Sequence, residues 1–85
     1  MTARQFEYLV AQVQEGRVTF VNGKWVGKVP MEEVVRKGGH DASSCELIWD
    51  WLQDQGRQGW ELVSVTTEAV PGTILTQVYM KRTSG

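Results

Sequence analysis

Apolar and polar residues alternate at the start of the chain. In the segment RQFEYLVAQV, residues 4–13, Phe6, Tyr8 and Val10 fall on one side of an extended chain and Leu9 falls on the other. Aromatic and β-branched residues that repeat with a period of two are typical of a strand. Residues 4–13 therefore predict the first strand of a sheet.

A hairpin and an irregular connection are predicted next. Residues 17–27, RVTFVNGKWVG, carry an Asn-Gly pair between two short β-prone segments. This pair favours the two left-handed positions of a type I′ turn. Residues 28–43 have no clean period, although residues 31–35 favour a short helical turn after a proline. Because the glycine pair at 38–39 stops a longer helix, residues 28–43 predict an irregular loop.

One amphipathic helix is predicted for residues 44–58. Ser43 and Glu46 have the spacing of a capping box at its start. Gly59 stands where the residue after a helix adopts the left-handed conformation, which glycine does without steric cost. The apolar positions form a single stripe, which is the face expected to pack: Leu47, Ile48, Trp51 and Leu52.

Two further strands complete the pattern. Residues 60–68 and 74–82 alternate, and a Pro-Gly pair between them suits the centre of a type II turn. Residues 83–85 are expected to fray. Residues 1–85 thus predict a single α+β domain, an antiparallel β-sheet of four to five strands with one amphipathic helix packed on one face.

Charge and hydropathy exclude several function classes. Nine basic and ten acidic side chains leave a net charge of −1, which gives no strong field to attract a nucleic acid polymer or an anionic membrane. The apolar runs are far shorter than the roughly 20 residues that span a bilayer. The single cysteine cannot form an intramolecular disulfide and no leader-like segment opens the chain, so a cytoplasmic location is predicted.

The segments FEYLVAQV, WLQDQGRQGWELVSV and YMKR carry a resemblance to a known family. They resemble the DUF4177 family of small bacterial domains, whose members typically show a Gly-x-x-Gly-Trp-Glu-Leu-Val core. Gly56, Gly59 and Trp60 match that core, whereas Leu9 stands where lysine is common and residues 28–43 have no counterpart. The family has no assigned function, so the resemblance implies a fold and no catalytic residue.

The candidate catalytic groups are few. Cys45 and His40 are the only thiol and the only imidazole, and a thiol in the first turn of a helix has a lowered pKa, so a Cys-His nucleophile is one interpretation. The other is that Cys45 packs as a small hydrophobe. Glu46, Asp50 and Asp54 recur every four residues, which is typical of a solvated helix face. We therefore predict no catalytic residue, no metal site and no cofactor.

A small-ligand site is the second functional hypothesis. The loop of residues 36–44 is rich in glycine and serine, and runs into the predicted helix N-terminus, where backbone amides bind anions. If a tryptophan side chain lined one side of it, such a site would hold a nucleotide or another small anion between protomers. Its candidate residues are Trp25, Arg36, Lys37, His40, Ser43, Ser44 and Trp49.

Self-association is the first functional hypothesis. One helix covers only one face of a sheet, yet residues of both parities in the last two strands are apolar, and a large uncovered apolar face is rare in a monomer. A second copy is the simplest cover, and the alternative is residues 28–43 folding back over the sheet. The sequence therefore favours a non-enzymatic interaction module, with the predicted interface residues Val63, Val65, Leu75 and Tyr79.

Overall fold

The computed structural model describes residues 3–39 and 42–84. The fold is α+β, with a five-stranded antiparallel sheet of order β3-β2-β1-β5-β4 and two helices in the described residues. The elements are β1 (Phe6–Gln14), β2 (Arg17–Val21), β3 (Lys24–Trp25), α1 (Met31–Arg36), α2 (Ile48–Arg57), β4 (Glu61–Val70) and β5 (Thr73–Thr83).

Tight two-residue turns connect the first three strands. Glu15 and Gly16 have φ of 53° and 74°, and Asn22 and Gly23 have φ of 50° and 81°. Two successive left-handed residues are the geometry of a type I′ turn, whose twist matches that of the flanking strands. The Asn-Gly pair therefore forms the hairpin turn that its residue types favour, and its glycine removes the steric cost of a positive φ.

The helix α2 begins four residues later than predicted, and no capping box forms. Leu47 is the residue before the helix, its backbone is extended, and no side chain caps the helix. The reason is pairing with β2: the Val18 amide donates to the Glu46 carbonyl and the Ile48 amide donates to the Gly16 carbonyl, both at 2.9 Å. These long-range bonds hold residues 46–48 extended, so the first helical residue is Ile48.

The C-terminal end of α2 is a Schellman motif. Gly59 has φ of 91°, the Trp60 amide donates to the Gln55 carbonyl, and the Gly59 amide donates to the Gly56 carbonyl, each at 3.0 Å. This pair of bonds satisfies carbonyls that the end of a helix leaves without partners. The left-handed residue is the glycine that the sequence places there.

Gly59→Val is expected to lower the free energy of unfolding by more than about 1 kcal/mol, because a β-branched residue is strained at positive φ. Gly56 offers the matched control. It lies inside α2, and a Cβ added to it would meet no other atom within 4 Å. Gly56→Ala is expected to raise the free energy by about 0.5–1 kcal/mol. Urea unfolding of both variants checks this, and equal stabilities would refute the role of Gly59.

Arg82 fastens the end of α2 to the sheet. Its guanidinium donates to the Gln58 carbonyl at 3.0 Å and to the Glu7 carboxylate at 3.3 Å, and it lies 4.4 Å from the centre of the Trp60 ring. Glu7 and Arg82 are direct partners on β1 and β5. The glycine and tryptophan that carry the family resemblance therefore serve the fold: Gly59 reverses the chain, and Trp60 packs between Arg82 and the core.

Helix α1 lies inside the segment predicted to be irregular, so the described chain has a second, short helix. Its six residues bury Val34, and Pro30 precedes its first turn. Val34 lines a cavity together with Phe20 and Trp25, so the 28–39 segment folds back over one end of the sheet. The short helical turn favoured for residues 31–35 is therefore a six-residue helix within the segment predicted as a loop, and it adds to the one amphipathic helix of the predicted α+β fold.

The core lies between α2 and one face of the sheet. We call this face the helix side and the opposite face the open side. On the helix side, Trp51 packs on the central strands together with residues that pair across β1, β2 and β5. The buried cluster comprises Leu9, Ala11, Val13, Val18, Trp51, Val78 and Met80.

The β4–β5 hairpin extends beyond the packed core. All residues of β4 except Val70 are exposed, and the molecule measures 54 × 26 × 19 Å. A ten-residue strand is about 33 Å long, whereas a ten-residue helix such as α2 is about 15 Å long. We call residues 61–77, which the helix does not cover, the arm.

Candidate interaction surface

A shallow apolar groove lies on the open side of the sheet, where β1 and β5 meet the first half of the arm. Tyr79 stands at its centre, opposite Val10 of β1 and Ser64 of β4. The Tyr79 hydroxyl donates to the Gln77 side chain at 2.7 Å, so its polar end is satisfied within the sheet. The groove encloses about 460 Å³, and its open-side residues are Tyr8, Val10, Val63, Ser64, Thr66 and Tyr79.

Charged groups border one end of this groove. Lys81 Nζ lies 3.7 Å from Glu61 Oε1 and 4.9 Å from the centre of the Phe6 ring. An exposed pair of this kind contributes at most about 1 kcal/mol to stability. The arrangement of an apolar centre and a polar border is the one found in protein interfaces.

A β-bulge decides which predicted interface residues share a face. The pairing of β4 with β5 shifts between Leu62 and Ser64, so two residues, Val63 and Ser64, stand opposite Tyr79. Beyond the bulge, Val65 pairs with the buried Val78, which places Val65 on the helix side.

The predicted interface therefore divides between the two faces. Val63, Leu75 and Tyr79 lie on the open side, whereas Val65 lies on the helix side. In a regular strand, side chains alternate between the two faces of the sheet. The bulge adds one residue to β4 and so moves Val65 to the opposite face from the one that simple alternation predicts.

The helix side of the arm is a second apolar surface, which the sequence pattern assigned to helix packing. Leu62 and Val65 are about half exposed and Ile74 is 61% exposed. Leu62 and Val65 pair with the buried Met80 and Val78, so they lie level with the core, but α2 packs nearest β2 and leaves the β4 edge of the sheet uncovered. No signal in the sequence predicts this position of α2, because it depends on bonds between residues 46–48 and residues 16–18. The arm thus exposes apolar side chains on both faces.

The accessible surface of the whole chain is large for its mass. It amounts to 6174 Å², whereas a folded monomer of 9.6 kDa is expected to have about 5,100 Å². The excess of about 1,100 Å² is comparable to the roughly 800 Å² that each partner buries in a standard interface. The chain is therefore less compact than an average monomer of its mass.

Within residues 3–39 and 42–84, Trp25 alone of the predicted ligand residues lines the cavity described below. Arg36 and Lys37 are exposed at the end of α1, and Ser43 is exposed in the following loop. Trp49 is 68% exposed on α2, and His40 lies outside the described residues. The helix N-terminus predicted beside Ser43 and Ser44 is absent, because α2 begins only at Ile48, and the amide of Ile48 donates to the Gly16 carbonyl.

Trp25 and Ser44 do come together, around Gly27. A Cβ on Gly27 would overlap the Trp25 indole and lie 2.7 Å from Ser44 Oγ. The Trp25 indole donates to the Val29 carbonyl at 2.8 Å and meets the Phe20 ring edge to face, with centres 5.6 Å apart. These bonds and contacts fix the orientation of the indole.

A cavity of about 420 Å³ lies beside this aromatic pair. Among its described lining residues Glu15 is the one ionisable group, so that lining supplies no cation for an anionic ligand. The described lining is Gln14, Glu15, Thr19, Phe20, Trp25, Met31, Val34, Gly39, Ala42, Pro71, Gly72 and Thr73.

Cys45 is buried, with 2% of its surface exposed. It precedes Ile48, the first residue of α2, by three residues, so it does not lie in the first turn of the helix. Its carbonyl accepts a hydrogen bond of 2.7 Å from the Arg17 guanidinium, which ties the segment to β2. These observations support packing as the role of Cys45.

The acidic row lies at the surface. Glu46 precedes α2, and partial burial raises the pKa of its carboxyl, as do the nearby carboxylates of Asp54 and Asp50. Asp54 pairs with Arg57 at 2.7 Å, both largely in water. Within residues 3–39 and 42–84, no group of three or more His, Cys, Asp or Glu side chains has the geometry to hold a metal ion.

Comparison of the chain with models of known families, with curated proteins and with solved structures finds no match in any of the three. The resemblance to the DUF4177 family therefore stays a prediction. In the described parts of the chain, neither helix has the length and apolar character needed to cross a membrane.

Proposed function

We propose that this protein is a non-enzymatic interaction module that self-associates through the β4–β5 arm. The observation that carries the proposal is the arm itself, an apolar hairpin exposed on both faces. A monomer rarely keeps such a surface in water, because each square ångström of apolar surface buried contributes about 25 cal/mol.

The arm carries few charged side chains, which favours a partner surface that is also poor in charge. Residues 61–77, ELVSVTTEAVPGTILTQ, contain two acidic residues, Glu61 and Glu68, and no lysine or arginine. Interface centres are depleted in charge. A net charge of −1 also gives little repulsion between two copies, and a two-fold contact uses the same patch on both.

Ile74→Lys is expected to weaken self-association at least tenfold, because it puts a charge into the apolar contact. Val35→Lys is the matched control. Val35 is as exposed as Ile74, at 63% against 61%, but it belongs to α1 and not to the arm. Sedimentation velocity over a range of micromolar concentrations measures both. A wild-type chain that stays monomeric throughout this range, or equal effects of the two substitutions, would contradict the proposal.

A second candidate function is the binding of a small ligand in the cavity beside Phe20 and Trp25. The observation that favours it is a space of about 420 Å³ next to an indole held by its bond to Val29. This volume is within the size range of small-molecule sites. The described lining suits an uncharged aromatic or apolar ligand better than the anion predicted from the sequence.

A further inference from the structure

We propose that β4 pairs edge to edge with β4 of a second copy, antiparallel and centred on Thr67, so that two five-stranded sheets become one of ten strands. This inference rests on the proposed self-association and specifies its contact. It assigns the partner strand, the register and the residue on the two-fold axis.

The two edges of the sheet differ in protection. At one edge, β3 has two residues, and the chain after it continues the pairing through a 3.0 Å bond from the Val26 amide to the Thr19 carbonyl. At the other edge, β4 has ten residues and contains no proline, lysine or arginine. Natural edge strands are usually short or carry such residues, which block pairing with another chain. Strand β4 does carry Glu61, Glu68 and a bulge at Val63, but its regular stretch from Ser64 to Val70 holds only one charged residue and is the longer unprotected edge.

The hairpin turn determines which backbone groups of β4 face outward. Val70 and Thr73 are paired across the two-residue turn, and the pair that flanks such a turn is hydrogen-bonded. Alternate residues, counted back to Ser64, bond to β5 in the same way. The intervening residues direct their amides and carbonyls away from β5, and within the regular stretch they are Val65, Thr67 and Ala69.

Only one two-fold register uses all three outward residues. Centred on Thr67, it places Thr67 opposite itself and Val65 opposite Ala69 of the second copy. Glu68 then stands opposite Thr66, whose hydroxyl donates readily to a carboxylate. A register centred on Glu68 sets two glutamates against each other, which is unfavourable. One centred on Thr66 leaves Ala69 facing the bulge at Val63.

The side chains on the helix side agree with this register. Within one copy, Ala69 of β4 pairs with Ile74 of β5. In the proposed register, Val65 of the second copy stands on the other side of Ala69, so the three side chains form one row across three adjacent strands. Ile74 and Val65 are both at least half exposed in one copy. In the dimer they belong to a single apolar row that crosses the interface between the two β4 strands. The bulge at Val63 ends the regular pairing, as bulges do at the limits of a ladder.

Thr67→Cys tests the register directly. Opposed residues of a hydrogen-bonded pair have Cα atoms about 5.5 Å apart, within the range that a disulfide spans. Mild oxidation is expected to link most of the Thr67→Cys chains into dimers, seen on a non-reducing gel. Val65→Cys is the control, since its two copies would lie about 14 Å apart. The native Cys45 is buried. Equal linking of both variants, or of neither, would overturn the register.

Thr67→Pro provides an independent test, because proline removes an amide that points away from β5 and so spares the internal ladder. It is expected to weaken association at least tenfold with an unchanged far-ultraviolet circular dichroism spectrum. A wild-type dimer that persists in Thr67→Pro and does not link through Thr67→Cys would overturn the edge pairing and leave self-association standing. A wild-type chain that is monomeric would contradict both the edge pairing and the proposed self-association. If Thr67→Pro fails to fold, the comparison of Thr67→Cys with Val65→Cys tests the edge pairing on its own.

Discussion

Trp51→Ala is expected to lower the free energy of unfolding by about 3–5 kcal/mol, the cost of emptying a large buried site. Trp51 is 6% exposed and packs with Leu9, Ala11 and Val18 in the core cluster. A domain of this size is stabilised by about 4–13 kcal/mol in total. The substitution therefore removes a large part of the stability and leaves much of the chain unfolded at moderate urea concentrations.

Trp49→Ala is the matched control for this change, since Trp49 lies two residues away on the same helix and faces water. It is expected to change the free energy of unfolding by less than about 0.5 kcal/mol. Both variants are measured by circular dichroism at one protein concentration, because association makes stability depend on concentration. A loss below about 1 kcal/mol for Trp51→Ala would show that α2 is not the main cover of the helix side.

Gly27→Ala is expected to lower the free energy of unfolding by about 1–3 kcal/mol, the range found for overpacking. The added methyl group would overlap the Trp25 indole, which is held by its bond to the Val29 carbonyl. The indole must move, and the wall of the neighbouring cavity moves with it. Urea unfolding and the chemical shift of the Trp25 indole proton report the two effects.

Ser44→Ala is the companion change at the same place. Ser44 Oγ is buried and finds no hydrogen-bond partner among the described residues. Removing a buried hydroxyl that makes no bond is neutral or stabilising, so Ser44→Ala should leave the free energy of unfolding unchanged or higher. If Gly27→Ala were harmless and Ser44→Ala costly, the packing of Trp25, Gly27 and Ser44 described above would be wrong.

Local signals predicted the parts of the fold that local chemistry determines. The Asn-Gly turn, the left-handed Gly59 and the end of α2 follow from residues within a few positions of one another. The start of α2 could not be predicted in this way. It depends on bonds from Glu46 and Ile48 to the Gly16–Val18 segment, which lies about thirty residues earlier in the chain, and a capping-box pattern gives no information on that pairing.

The candidate surface was predictable in kind but not in detail. Apolar residues of both parities indicated an uncovered sheet, and the structure places Val63 and Tyr79 on its open side. It also exposes Leu62 and Ile74 on the side assigned to the helix, because α2 packs nearest β2 and leaves the β4 edge and the tip of the hairpin uncovered. The face of Val65 depends on one bulged residue, for which the alternating pattern gives no signal.

Native mass spectrometry of gently purified protein tests the central claim most directly, since it reports the number of subunits and any retained small molecule together. The proposed interaction module predicts a mass that is a whole multiple of 9.6 kDa, with a dimer as the smallest species and no adduct. A species of 9.6 kDa alone would contradict self-association through the arm. A monomer that carries an added mass of a small molecule would favour the ligand site beside Trp25 instead.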